Sequence, residues 1–189
     1  MAMEFYQVEP SSAGYPDRWF LGEPYDERGQ EIDSRLFTYG RPYTGPRPRR
    51  IVLGYAGREA QMNFADVGML VVSGPIVRIL RRVAPAAMEA YPVAVEDADQ
   101  EYYIINVVCL CECLDESRSE IMRWTAAGGR PDKVGQYRMV INLTIDTAKA
   151  NGLDLFRIRG WVVPIIVSGR LRALLEREPD LGVSFDPVG

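Results

Sequence analysis

The 189-residue chain contains no histidine, and that absence removes more chemistry than any other feature of its composition. Ser-His-Asp and Cys-His nucleophilic catalysis, His-Asn-His nuclease centres and most catalytic zinc sites all need an imidazole. Lysine is scarce as well: of 22 basic residues only Lys133 and Lys149 are lysine, a bias that a GC-rich coding sequence explains more simply than many bidentate arginine contacts. No Walker A loop, no GxGxxG after a strand and no EF-hand spacing occurs, so nucleotide and calcium chemistry find no support. No apolar stretch approaches the ~18 residues needed to cross a bilayer, and the first ten residues, MAMEFYQVEP, lack a basic start and an apolar run. A soluble, cytoplasmic protein without membrane contact is expected.

Cysteine is nearly absent, and all three copies sit within five residues, Cys109, Cys111 and Cys113. An odd number packed this closely cannot form the spread framework of a secreted disulfide scaffold. The surrounding run, EYYIINVVCLCECL, is rich in β-branched and aromatic residues and predicts a buried central strand. On such a strand Tyr103, Ile105, Val107, Cys109, Cys111 and Cys113 share one face, with neighbours of that face ~7 Å apart. Sulfurs on one zinc, at Zn–S distances of ~2.3 Å, must lie closer than that, and no histidine is available to complete the site. The thiols are therefore expected to pack as small hydrophobes, with no metal and no cofactor.

What is present is a composition that folds: 47% hydrophobic and 25% charged residues, with a net charge of −4. The length suits one domain, residues 1–189, with an irregular N-terminal part over 1–60. Pro10, Pro16, Pro24, Pro42, Pro46 and Pro48 interrupt that part, allowing short strands around Phe5 to Val8 and Leu36 to Tyr39 but no long helix. Tyr39 to Arg50, YGRPYTGPRPRR, is expected to be an extended, solvated loop.

From residue 67 the periodicity sharpens. VGMLVVSGPIVRILRRV gives a short strand, Ser73 at an N-cap position, and Ile76, Ile79, Leu80 and Val83 at helical spacing. WVVPIIVSGRLRALLERE repeats the pattern with Ser168 at the cap and Leu171, Leu174 and Leu175 on the helical face, and each copy is followed by an extended stretch. YRMVINLTID predicts a half-exposed strand, with Tyr137, Met139, Ile141, Leu143 and Ile145 inward. LFRIRGW similarly predicts Phe156 and Ile158 buried and Arg157 and Arg159 in solvent. The fold class expected is α+β, with a mixed or mostly antiparallel sheet, helices packed on one face and a repeated strand–helix–strand unit. A parallel doubly wound sheet is the alternative.

The acidic excess lies wholly in the second half, where residues 96–189 hold 15 acidic and 11 basic groups. Mild acidity argues against direct nucleic-acid binding, which needs a basic footprint. Two acidic groups stand out: Glu96, Asp97, Asp99 and Glu101 in VEDADQE, and Asp115 and Glu116 in CLDES. Such groups could bind a metal or perform acid/base hydrolysis, but they could equally be solvated loop residues or an acidic face for a basic partner.

The blocks EYYIINVVCLCECLDESRSE and DLFRIRGWVVPIIVSGRLRALLEREPDLGVSFDPV resemble immunity-protein family eleven of bacterial polymorphic toxin systems, the myxobacterial-type family. The resemblance covers residues 64–188 in broken segments, including FAD at 64–66 with LVVSGPIVRIL after it. It implies a protein that is not an enzyme and has no catalytic residues: an inhibitor that binds and neutralises a cognate toxin, encoded by an adjacent gene, in the cytosol. A nuclease effector is the toxin class that the acidic groups would suit. The resemblance carries no binding residues, so Glu96, Asp97, Asp99, Glu101, Asp115 and Glu116 are partner-binding candidates from charge and exposure alone. The alternatives are a carboxylate- or metal-dependent hydrolase using Asp97, Asp99, Asp115 or Glu116, and an adaptor or regulator using the arginines from Arg41 to Arg50.

Overall fold

A computed structural model describes residues 3–11 and 17–189, so Pro16 lies outside the described residues. In chain order the elements are β1 (Phe5–Pro10), β2 (Phe20–Asp26), β3 (Pro48–Tyr55), β4 (Met62–Phe64), β5 (Leu70–Ser73), α1 (Gly74–Val83), β6 (Met88–Val95) and β7 (Tyr102–Val107). They continue with β8 (Leu110–Cys111), β9 (Glu120–Arg123), β10 (Tyr137–Ile141), β11 (Leu155–Ile158), β12 (Trp161–Ser168), α2 (Gly169–Leu175) and β13 (Val183–Pro187).

The strands form a six-stranded sheet in the order β2-β3-β6-β7-β5-β4, a five-stranded sheet in the order β13-β1-β12-β11-β8, and a separate β9–β10 ribbon. Among the strands of the described residues only the β3/β6 and β8/β11 pairs are parallel, so the class is α+β with mixed, mostly antiparallel sheets. The helix α1 joins β5 to β6 with antiparallel β7 between them, and α2 joins β12 to β13 with antiparallel β1 between them. Each helix opens on a bond to the strand it crosses: Gly74 N donates to Glu101 O at 2.9 Å, and Gly169 N to Glu4 O at 2.8 Å.

Both helices bury into one core shared by the two sheets. Ile76, Val77 and Leu80 of α1 and Leu171 and Leu175 of α2 pack with Leu70, Val72, Ile105 and Val107 of one sheet and Val8, Ile165 and Val167 of the other. The far face of the six-stranded sheet carries Val71, Tyr102 and Ile104 and is covered by Trp19, Ile32, Phe37 and Met69. The far face of the five-stranded sheet, with Phe5, Cys111, Phe156 and Ile166, is covered by Cys113, Ile145 and Ala150. Burial on both faces explains why these strands are near-continuous apolar runs.

Several expectations need correction. Leu36 to Tyr39 is not a strand: Ser34–Phe37 is a 3-10 turn, with Asp33 accepting from the Arg35 N–H at 3.0 Å, a local bond that competes with strand pairing. The loop expected over Tyr39 to Arg50 ends at Pro48, which opens β3. Ser73 makes no capping bond, its hydroxyl donating to Gln61 Oε1, whereas Ser168 Oγ both donates to Asp154 Oδ1 and accepts from Leu171 N at 3.2 Å. The run from Tyr102 to Cys113 is two strands in different sheets. It breaks where the N–H groups of Val108 and Cys109 both turn to Ala87 O, at 2.9 and 3.2 Å. Arg157 is not in solvent: all four residues of β11 are buried. Met139 and Ile141 are not inward either, since β10 leaves them 45% and 44% exposed.

Candidate partner-binding surface

The four acidic residues of the first group lie in the loop between β6 and β7. The loop turns where Ala98 N donates to Val95 O at 3.3 Å and Asp97 takes a φ of 59°, a left-handed conformation that short polar side chains tolerate best. It is held from outside by Glu59, whose carboxylate accepts from Asp99 N at 2.8 Å and from the Tyr102 hydroxyl at 3.1 Å. Burial first, and the Glu59 charge second, push the Tyr102 phenol upward, so it remains a donor to that carboxylate. At the far end Glu101 accepts from the Tyr103 hydroxyl at 3.1 Å, while its carbonyl takes the first N–H of α1.

Glu96, Asp97, Asp99 and Glu101 are all exposed. Among the described residues neither they nor Glu59 has a cationic side chain within salt-bridge distance. The five carboxylates thus lie close together with no ion pair among the described residues, and two of them, Asp99 and Glu101, line an open groove of about 540 Å³ that Arg49 and Pro92 also border. Chemically this is a surface of negative potential that attracts cations and cationic proteins.

Asp115 and Glu116 are elsewhere and differently employed. In the chain β7, roughly 17 Å long, and the short β8 run between the two groups. Asp115 closes the turn into β9, accepting from Ser117 Oγ at 2.6 Å, Arg118 Nε at 2.7 Å and the Ser117 N–H at 3.0 Å. These bonds, the Ser117 hydroxyl foremost, hold its carboxyl at about 2. Glu116 accepts from the Tyr137 hydroxyl and binds Arg123 through both oxygens at 2.8 Å, which keeps it below the usual carboxylate range. Both acids tie the neck of the β9–β10 ribbon and are neutralised by the arginines they hold. The six candidates therefore divide into an unpaired loop and a structural neck.

Asp97 and Asp99 lie in the β6–β7 loop, whereas Asp115 and Glu116 lie in the turn before β9. Among the described residues no group of three or more His, Cys, Asp or Glu side chains is placed to hold a metal. The cysteines are free thiols; burial first and Cys111 second push Cys113 up to about 12. The arginines of the Tyr39 to Arg50 stretch are partly occupied: Arg41 lies over Tyr39, Arg50 over Tyr25, and Arg49 is 3.8 Å from Glu27. Sequence reasoning missed Glu59, which joins the loop only through folding, and the exposed apolar face of the ribbon.

The chain is thus an α+β protein whose β6–β7 loop carries four exposed acidic side chains. The chain matches the model of the Immunity protein family (Imm11) over residues 33–189, and it belongs to that family. The family indicates a toxin-neutralising immunity function. The match begins upstream of the blocks at 64–188, taking in the Asp33 turn and all of β3. No curated protein gives a significant match. Among the described residues no helix is long and apolar enough to cross a membrane.

Proposed function

We propose that this protein neutralises a cognate toxin by non-covalent binding in the cytoplasm, without catalysis of its own, and that the toxin is encoded by an adjacent gene. The observation that carries the reading is the family match over residues 33–189. The contact surface proposed is the loop of Glu96, Asp97, Asp99 and Glu101 with Glu59 beside it, because these carboxylates form no ion pair among the described residues. A basic surface, such as the substrate cleft of a nuclease effector, is the chemistry that would supply them. Asp115 and Glu116 serve the neck of the ribbon and contribute to binding only through its shape.

The test is co-expression of the toxin domain encoded beside the protein, with survival and affinity measured together. Wild type is expected to protect, with association that slows as salt rises. The variant E96K/D97K/D99K/E101K is expected to fold, to bind at least about a hundredfold more weakly and to lose that salt dependence. A variant that protects with unchanged affinity and salt response would remove the loop from the interface. Failure of the wild-type protein to protect would remove the immunity reading itself.

A further inference from the structure

The β9–β10 ribbon pairs with neither sheet, and an isolated two-stranded hairpin is marginal in water unless a face is covered. One face has cover. Tyr137 lies against Gly160 in the β11–β12 turn, where an added Cβ would sit 3.1 Å from the ring, and the cross-strand pair Ile121 and Val140 is half-buried. The opposite face is open. The register sets Glu120 beside Ile141 and Met122 beside Met139, and Trp124 continues that line, with Arg138 4.9 Å and Lys133 5.9 Å from its ring. Met122, Met139 and Ile141 are 49%, 45% and 44% exposed.

From neck to tip, this open face presents an acid, a patch of three apolar side chains, and an aromatic ring flanked by two cations. Glu120 accepts from Asn142 Nδ2 at 2.6 Å, but among the described residues Glu120, Lys133 and Arg138 form no ion pair. The order acid, apolar, cation is self-complementary under a two-fold rotation. With the axis through the Met122 and Met139 pair, Glu120 of each copy meets Arg138 and Lys133 of the other, while the methionines meet their own equivalents. A parallel stacking would oppose like charges at both ends, so the charge pattern selects the antiparallel one. Methionine also suits a surface packed against its own copy, being flexible and polarizable.

We propose that the open face of the β9–β10 arm docks on the same face of a second copy of this chain, giving an isologous two-fold dimer. The inference is independent of toxin binding. It accounts for a strand whose alternation is that of a buried face and whose apolar side chains stay nearly half exposed in the monomer.

Sedimentation equilibrium of the full chain tests it, with a mass of twice 21.3 kDa expected. Met139→Glu, which places a charge at the axis, is expected to give a monomer with an unchanged circular dichroism spectrum. Glu120→Arg and Arg138→Glu are each expected to weaken the dimer at least about tenfold, and the double exchange E120R/R138E to restore it. A wild-type monomer at the highest soluble concentration overturns the proposal, as does a dimer indifferent to all three changes. So does a double exchange that fails to recover. A monomer that loses toxin binding in Met139→Glu would assign the same face to the toxin instead, and would equally overturn it.

Discussion

Replacing Arg157 by methionine and by alanine separates two opposing effects of one buried guanidinium. The side chain is 0% exposed, and its position follows from an irregularity in β11–β12 pairing. The register jumps from Phe156 opposite Ile166 to Ile158 opposite Trp161, so the bulged stretch of β12 faces a single residue of β11. Arg157 supplies what the ladder lacks there: Nη1 donates to Val162 O at 2.6 Å and to Val163 O at 3.1 Å. Its Nε and Nη2 find no partner among the described residues. Burial pushes the group from 12.5 down to about 10, a penalty of ~3 kcal/mol on the charged form. Methionine recovers that penalty but leaves two carbonyls without charged donors worth ~1.5–3 kcal/mol each, for a net loss of ~0–3 kcal/mol. Alanine loses packed methylenes at ~0.8 kcal/mol each and leaves a cavity as well, so ~4–6 kcal/mol is expected. Urea unfolding monitored by tryptophan fluorescence measures both. If R157A were as stable as R157M, or R157M the less stable of the two, the buried guanidinium would not be the packed, carbonyl-satisfying but costly charge described above.

Further predictions rest on other local features. Ser168→Ala should cost ~1–2 kcal/mol by removing the acceptor for Leu171 N, and Ser73→Ala less, because Ser73 caps nothing; equal losses in thermal unfolding would contradict the difference in capping. Val67 is a β-branched residue at φ 46°, and Val67→Gly should stabilise by about 1 kcal/mol in the same assay, with any loss of stability counting against strain there. Iodoacetamide should label half-buried Cys109 before Cys111 and Cys113 in the native protein, and early labelling of Cys113 would contradict a thiol held at about 12. Asp115 titrates at about 2, below its ordinary 3.8, so its bonds stabilise the fold above about 4 and are lost as pH falls toward 2. Asp115→Asn should flatten that acid limb in amide exchange of the ribbon neck, and an unchanged pH profile would show that the turn does not depend on the charge.

Much of the fold was legible because its elements are periodic. The β5–α1 and β12–α2 segments could be read from apolar spacing, and β7 from its run of β-branched and aromatic residues buried on both faces. What failed was whatever depended on a partner distant in sequence. The break after Val107 is caused by Ala87 accepting two N–H groups, and no residue between Tyr102 and Cys113 announces it. Ser73 and Ser168 occupy the same place in VSG and each donates its hydroxyl to a side chain distant in sequence, Gln61 or Asp154, yet only Ser168 also caps its helix. Arg157 alternates as a solvent-facing residue should, and it is buried because a register slip in β12 left carbonyls for it to satisfy.

The candidate surface shows the same limit in electrostatic form. Composition located the acidic residues, but a carboxylate's availability depends on whether folding hands it a cation. Asp115 and Glu116 receive arginines from within eight residues and become part of the neck. Glu96, Asp97, Asp99 and Glu101 have no arginine or lysine in the eight residues on either side of their loop, and folding brings them another acid, Glu59. Concentrating like charge at one end of a sheet costs stability through self-repulsion, a cost that a cationic partner would remove on binding. The same reasoning applies to the ribbon, where alternation marks Met139 and Ile141 for burial and the monomer leaves them open. A pattern that predicts burial and meets solvent is informative about what lies outside the chain, and here it points to a surface completed by association.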